Sequence, residues 1–211
     1  MEGIVIKSPL KGQWAIINAP GHPELAFDFL AVDDRKNPYP ALLLLPHIFV
    51  SIPVTSVFAW DQPVFSPFSG EVVDCYDGEN DRQKISLLKD LITSLVKRHP
   101  SGSMFNKFGG NYIVLKSEDG GFFALLAHLK SGSVMVNKGD MVTEGQFLGA
   151  VGNSGTSIQP HLHFQLMKVA EPFPYAENLL NFSIEQFKIK RNGAWDTMHI
   201  SAIRNGDHLY L

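Results

Sequence analysis

From Val134 to Gly152 the chain is cut into brief extended pieces by Gly139, Gly145, Gly149 and Gly152 and by a Lys138-Gly139-Asp140 turn. Short strands punctuated in this way imply an antiparallel barrel or sandwich. The same rhythm runs through most of the sequence. Ile4-Val5-Ile6 and the segment Pro9 to Asn18 read as two short strands parted by a Pro/Gly turn. Pro63 to Tyr76 reads as two strands around Ser69-Gly70. Asn111 to Lys116 and Gly121 to Leu129 form a hairpin about Glu118-Asp119-Gly120, where Asp-Gly suits a tight turn. One stretch departs from the rhythm: Ile85 to Arg98 carries leucines and isoleucines at helical spacing with charges between them, which predicts an amphipathic helix ended by His99-Pro100. The expected fold class is therefore mainly β, an antiparallel sheet or sandwich with one inserted amphipathic helix and, past residue 172, further strands joined by the Asn192-Gly193 turn.

Composition narrows the function classes. The chain has 211 residues, 45% hydrophobic and 18% charged, which suits one globular domain with large elaborations; neither an internal repeat nor a low-complexity linker divides it. A net charge of -3 gives no electrostatic case for nucleic acid as the main partner, and no basic helix suggests a membrane surface. The single Cys75 excludes an intramolecular disulfide and a thiolate-rich zinc site, so a metal would be held by histidine and carboxylate. The first residues, Met1 to Pro9, have neither the pattern of a signal peptide nor an apolar run able to span a bilayer. As written, the chain is expected to be cytoplasmic unless it is trimmed or exported by another route. Its oligomeric state is left open.

The chemistry is concentrated at Pro160-His161-Leu162-His163-Phe164. On a strand, residues two apart share a face, so His161 and His163 project together while Leu162 and Phe164 enter the other side. Paired imidazoles can hold zinc, move a proton, or do one of each; a surface strand that happens to carry two histidines is the plain alternative. Zinc needs at least a third protein ligand. A second candidate group lies at His22 and Asp28, where a carboxylate sits among Ala26, Phe27 and Phe29 and needs a partner if buried. A strand-edge carboxylate and a solvated loop histidine are the alternatives there. His128 stands at the end of its strand. His47 is assigned a structural role, His99 carries no chemical signature, His199 and His208 are solvated or structural, and Tyr112 is either a groove-lining or a core or sheet aromatic.

Taken in order, Val64-x-Ser66-Pro67-x-x-Gly70-x-Val72, Gly110-Asn111-Tyr112, Ala127-His128-Leu129, Lys138-Gly139-Asp140-x-Val142-x-x-Gly145-Gln146-x-Leu148-Gly149, Gly152-Asn153-Ser154-Gly155 and Pro160-His161-Leu162-His163-Phe164 resemble the lysostaphin-type (LytM-like) zinc metallopeptidases. The ordered series is far more specific than any piece of it and covers roughly residues 12–168. The resemblance implies an antiparallel β core with a groove between loops, one zinc ion, and hydrolysis of short peptide bonds in peptidoglycan stem peptides or cross-bridges. It also implies that His22, Asp28 and His163 bind the zinc while His128 and His161 are the catalytic pair. Three protein ligands leave a fourth zinc position for water, as catalytic zinc requires. No His-Glu-x-x-His helix is present, so the proton work falls to histidine.

Two features depart from the family's pattern. Its usual first motif sets the aspartate four positions after the histidine, whereas Asp28 follows His22 by six. Residues 33–62 and 78–108 are also longer than a minimal member needs; they would narrow the groove, recruit a partner or block access. Other function classes remain in view. A histidine phosphocarrier of the glucose-type sugar phosphotransferase kind uses similar turns and paired histidines but has no need of Asp28. A zinc-binding scaffold without turnover is the third reading.

Overall fold

The computed structural model describes residues 3–18, 22–40, 50–86, 109–171 and 176–211. The opening alternation produces strands β1 (Ile4–Ile6), β2 (Gln13–Ile17) and β3 (Phe27–Ala31). The insertions contribute β4 (Ile52–Pro53) and β7 (Lys84–Ile85), which pair antiparallel with each other; between them run β5 (Pro63–Phe65) and β6 (Gly70–Tyr76). The expected hairpin is β8 (Asn111–Ser117) and β9 (Phe123–Leu129), followed by the short β10 (Met141–Val142) and β11 (Phe147–Ala150). The two-histidine segment leads into β12 (Leu162–Met167). Beyond it lie β13 (Leu179–Leu180), β14 (Phe182–Arg191), β15 (Ala194–Ser201) and β16 (His208–Tyr210). Asn192 and Gly193 both take positive φ, 51° and 85°, which is what a two-residue turn between β14 and β15 requires.

The inserted amphipathic helix is not seen among the described residues: only its first two positions, Ile85 and Ser86, fall within them, and positions 87–98 lie outside. Its first residue, Ile85, is on β7 instead, opposite Ile52 and 1% exposed. Cross-strand burial outweighs the local helical spacing there, as tertiary contacts commonly do.

Among the described residues the main sheet runs β1, β14, β16, β2, β3, β12, β9, β8, β6, β10, with β13 beside β12 and β15 beside β14. β1 is parallel to β14; from β14 through β16 to β10 neighbouring strands are antiparallel. The C-terminal strands are thus part of the sheet that carries the histidines, because β16 pairs with β2 and β2 with β3. One sheet face presents Phe27, Phe29, Phe164, Leu126, Ile113 and Val72 to the largest core, where Val64 of β5 and Leu148 of β11 join them. Phe29 and Phe164 meet edge to face at 6.3 Å, and Phe164 and Phe182 at 5.3 Å. Each of these side chains, withdrawn from water, stabilises the fold by about 1.5–3 kcal/mol. The other face carries Ala26, Tyr112, Val114, Leu125, Ala127 and Met167.

A break in that alternation sets up the site. Across β8 and β9, Asn111 opposes Leu129 and Tyr112 opposes Ala127, so His128 is an extra residue with no opposite number. It has a φ of 62°. This β-bulge turns His128 to the same side as Ala127 and returns Leu129 to the large core; without it His128 would point into that core. A non-glycine residue held at positive φ is unfavourable by about 1–3 kcal/mol, so the surroundings must hold it. Gly152 does so by donating its N–H to the His128 carbonyl at 3.0 Å.

The approach of Gly152 leaves no room for a side chain: a Cβ there would strike the backbone of Lys130 and come within 2.6 Å of the Leu129 carbonyl carbon. Gly152→Ala is expected to destabilise the protein by about 1–3 kcal/mol. Gly3→Ala, where a Cβ meets nothing within 4 Å, is the neutral comparison. Thermal melting of both checks this, and equal midpoints for the two variants contradict the tight approach.

Candidate metal centre

The register of β3 and β12 places Asp28 directly opposite His163, and side chains of such a pair leave the sheet on the same face. The Asp28 Oδ1 lies 2.9 Å from His163 Nδ1. His22 reaches the pair from the loop before β3. Asn18 holds that loop by donating its side-chain N–H groups to the Pro23 and Ala26 carbonyls at 2.7 and 2.8 Å. His22 Nδ1 is then 3.5 Å from Asp28 Oδ2, and its ring meets that of His163 edge to face at 5.1 Å. One ligand atom each from His22, Asp28 and His163 lies within 4.8 Å of the others, the one such cluster found among the described residues. The turn through Pro23 to Ala26 absorbs the six-residue spacing between His22 and Asp28.

The other two predicted histidines stand beside this cluster. His161 precedes β12; its Nδ1 is 2.7 Å from the Gln159 carbonyl and its Nε2 is 3.5 Å from Asp28 Oδ1. His128 sets its Nδ1 3.0 Å from the Ser154 carbonyl. A carbonyl can only accept, so in each ring Nδ1 carries the donated proton and the neutral imidazole keeps its lone pair on Nε2. The His128 ring centroid is 4.7 Å from that of His161 and 6.0 Å from that of His163. The structure therefore brings all five candidate residues together.

Electrostatics follow from burial. Burial works against ionising Asp28, but the charge and hydrogen bond of His161 and the hydrogen bond of His163 outweigh it and hold the carboxyl well below its ordinary range. Burial, then the neighbouring His161 and His163, depresses His128 well below the usual imidazole value. For His161 burial is outweighed by the Asp28 charge, and its value rises. A buried carboxylate among imidazoles is an anion in want of a cation. One carboxylate and two imidazoles on a shared face suit zinc, and so small a donor set leaves a coordination position open.

The remaining histidines lie apart in role. His208 is buried with Nε2 3.2 Å from Gln13 Oε1, against the ring of Trp195, and His199 is exposed on β15. His47 and His99 lie outside the described residues. Tyr112 is a sheet aromatic: its hydroxyl donates to Asp74 Oδ2 at 2.8 Å and its ring stacks on Tyr76.

Three residues that sequence reasoning missed support the site. Gln165 shares the face of His163, its Oε1 3.1 Å from His163 Nε2; the strand period was the signal that placed it there. Asp81, from the second insertion, accepts the Asn153 N–H on Oδ1 at 2.6 Å and the Ser131 N–H on Oδ2 at 2.8 Å. The Arg82 backbone carbonyl accepts from the Asn153 side-chain amide at 3.1 Å, and the Arg82 guanidinium donates to the Ser157 carbonyl. The start of this insertion thus braces the loop whose Ser154 and Gln159 carbonyls orient His128 and His161. No spacing in the sequence signals that brace.

Comparison with known proteins gives the chain a family. The pattern that defines Peptidase family M23 matches residues 57–174, more than half of the chain. Peptidoglycan DD-endopeptidase ShyA of Vibrio cholerae is 28% identical over 109 residues, 48% of this chain and 23% of the relative. Glycyl-glycine endopeptidase ALE-1 of Staphylococcus capitis is 45% identical over 62 residues, 29% of this chain and 17% of the relative. The chain spans less than a quarter of the length of either. The catalytic domain of lysostaphin from Staphylococcus simulans aligns in three dimensions with a TM-score of 0.44 and 20% identity, covering 80% of this chain and 86% of that one. With more than half of its sequence accounted for by one family pattern, the chain belongs to Peptidase family M23.

Proposed function

We propose that this chain is a zinc-dependent endopeptidase that hydrolyses peptide bonds in peptidoglycan stem peptides or cross-bridges. The observation that carries the reading is the convergence of His22, Asp28 and His163 beside two imidazoles whose Nδ1 atoms are each engaged by a backbone carbonyl. The relatives named as peptidoglycan and glycyl-glycine endopeptidases support the substrate class. In this reading His22, Asp28 and His163 hold one zinc ion. Zinc, when bound, supplies a Lewis acid that polarises the scissile carbonyl and lowers the pKa of water to about 7.

The chain's own residues then move protons and stabilise charge. One of His128 and His161 accepts the proton of the attacking water on Nε2 and returns it to the leaving amine. The other donates a hydrogen bond to the oxyanion that develops on the former carbonyl oxygen. The carbonyls of Ser154 and Gln159 hold a proton on Nδ1 of each ring, so the ring that acts as base is neutral with its lone pair on Nε2, and the ring that donates to the oxyanion carries a proton on Nε2 as well. A histidine phosphocarrier would have no use for a carboxylate buried among its imidazoles. A wall substrate implies that the working protein reaches the cell wall; among the described residues no helix is long and apolar enough to cross a membrane.

Asp28→Ala and His163→Ala are expected to lose zinc on purification, whereas His161→Ala and His128→Ala retain it and lose turnover by about 10²–10⁴-fold. Metal analysis of the four purified variants checks this; full zinc occupancy in both ligand variants refutes the assignment. Incubating the zinc-loaded protein with purified peptidoglycan and with glycine- or alanine-rich peptides, read by mass spectrometry, is expected to release cleaved peptides that the His161→Ala protein does not release. If every peptide bond stays intact with the wild-type protein, the endopeptidase reading fails.

A further inference from the structure

We infer that Gln165 is a positioning residue that fixes the tautomer of His163 and thereby sets the affinity of the centre for zinc. The inference rests on the proposed zinc site and deepens it. Gln165 is 5% exposed, so its amide must find partners inside the protein. Two are in place on the same strand face. The amide nitrogen donates to Met167 Sδ at 3.2 Å, and the amide oxygen lies 3.1 Å from His163 Nε2.

The chemistry of those partners determines which way round the amide sits. A thioether sulfur can accept but has no proton to give, so the NH₂ group must face Met167 and the oxygen must face the ring. The reverse orientation would set two acceptors against each other at the sulfur. With the amide oxygen toward the imidazole, His163 Nε2 must carry a proton. Nδ1, which faces Asp28 Oδ1 at 2.9 Å and donates to it when no cation is bound, is then the nitrogen that gives up its proton and frees a lone pair for a metal. That is the atom a cation shared with Asp28 would take. Fixing the free ring nitrogen of a ligand histidine orients the ring and raises the basicity of the ligating one. Here a neutral amide does this, where a carboxylate is the stronger partner.

The test uses the full chain and zinc itself, with affinity measured by competition against a chromogenic chelator. Gln165→Met keeps the approximate volume and removes the acceptor, and is expected to weaken zinc binding by about 10–100-fold. Gln165→Glu restores an acceptor and is expected to bind zinc at least as tightly as wild type. An affinity for Gln165→Met within about twofold of wild type would overturn the inference, because second-sphere partners of this kind act at the tenfold level or above. If Gln165→Met does not fold, Gln165→Glu decides: an affinity well below wild type overturns the proposal. Nitrogen-15 spectra of the zinc-loaded wild-type protein give an independent reading. A protonated Nε2 and a metal-bound Nδ1 on His163 are expected, and the opposite pattern sinks the inference while leaving the zinc site intact. Failure of the wild-type protein to bind zinc at all would instead refute the zinc reading on which this rests.

Discussion

A single cross-strand pair underlies the site: Asp28 on β3 against His163 on β12, side by side in the sheet and largely shut off from water. Leaving an ionised carboxylate in such a place without compensation would be strongly unfavourable, and three imidazoles surround it. The pairing is possible only because the same two strands present Phe27, Phe29, Leu162 and Phe164 to the opposite face. A slip of one residue in either strand would bury the histidine among phenylalanines and expose the aromatic side chains. The apolar core therefore holds the register, and the register holds the polar centre.

The second half of the site depends on a local irregularity. His128 would point away from the centre in a regular strand, and the bulge at the end of β9 turns it back. The strain of its positive φ is supported by Gly152 behind it and by the Ser154 carbonyl, which engages its ring. The loop that supplies these contacts is itself tied down by Asp81 and Arg82. Residues of the second insertion, expected to narrow a groove, recruit a partner or block access, thus also stiffen the support of His128 and His161. The pairing of β4 with β7 links the two insertions to each other. At the other end of the sheet, β16 packs along β2 and completes the hydrogen bonding of the strand that neighbours β3.

Much of this was legible in the residues. The glycine-punctuated short strands, the Asp119-Gly120 hairpin, the Asn192-Gly193 turn and the common face of His161 and His163 are local properties, set by backbone sterics and the two-residue period of a strand. The apolar neighbours of Asp28 marked it, with His22, as a candidate group, whereas His128 joined the set, and all three gained their roles, only through the resemblance. Local pattern misled at Ile85, where apolar spacing fits a helix and a strand end equally and a partner strand distant in sequence decided the matter.

The amino-acid sequence by itself determined the strand-rich architecture and the chemical inventory of the centre, one carboxylate and four imidazoles without a thiolate ligand. Only the tertiary structure decided that Asp28 and His163 stand opposite each other, that His128 faces inward, and that Gln165 and Asp81 support them. The reason is that turns and alternation are written over a few neighbouring residues. Register, bulges and hydrogen bonds between distant loops emerge only when separate segments bury their apolar faces together, and that depends on the whole chain at once.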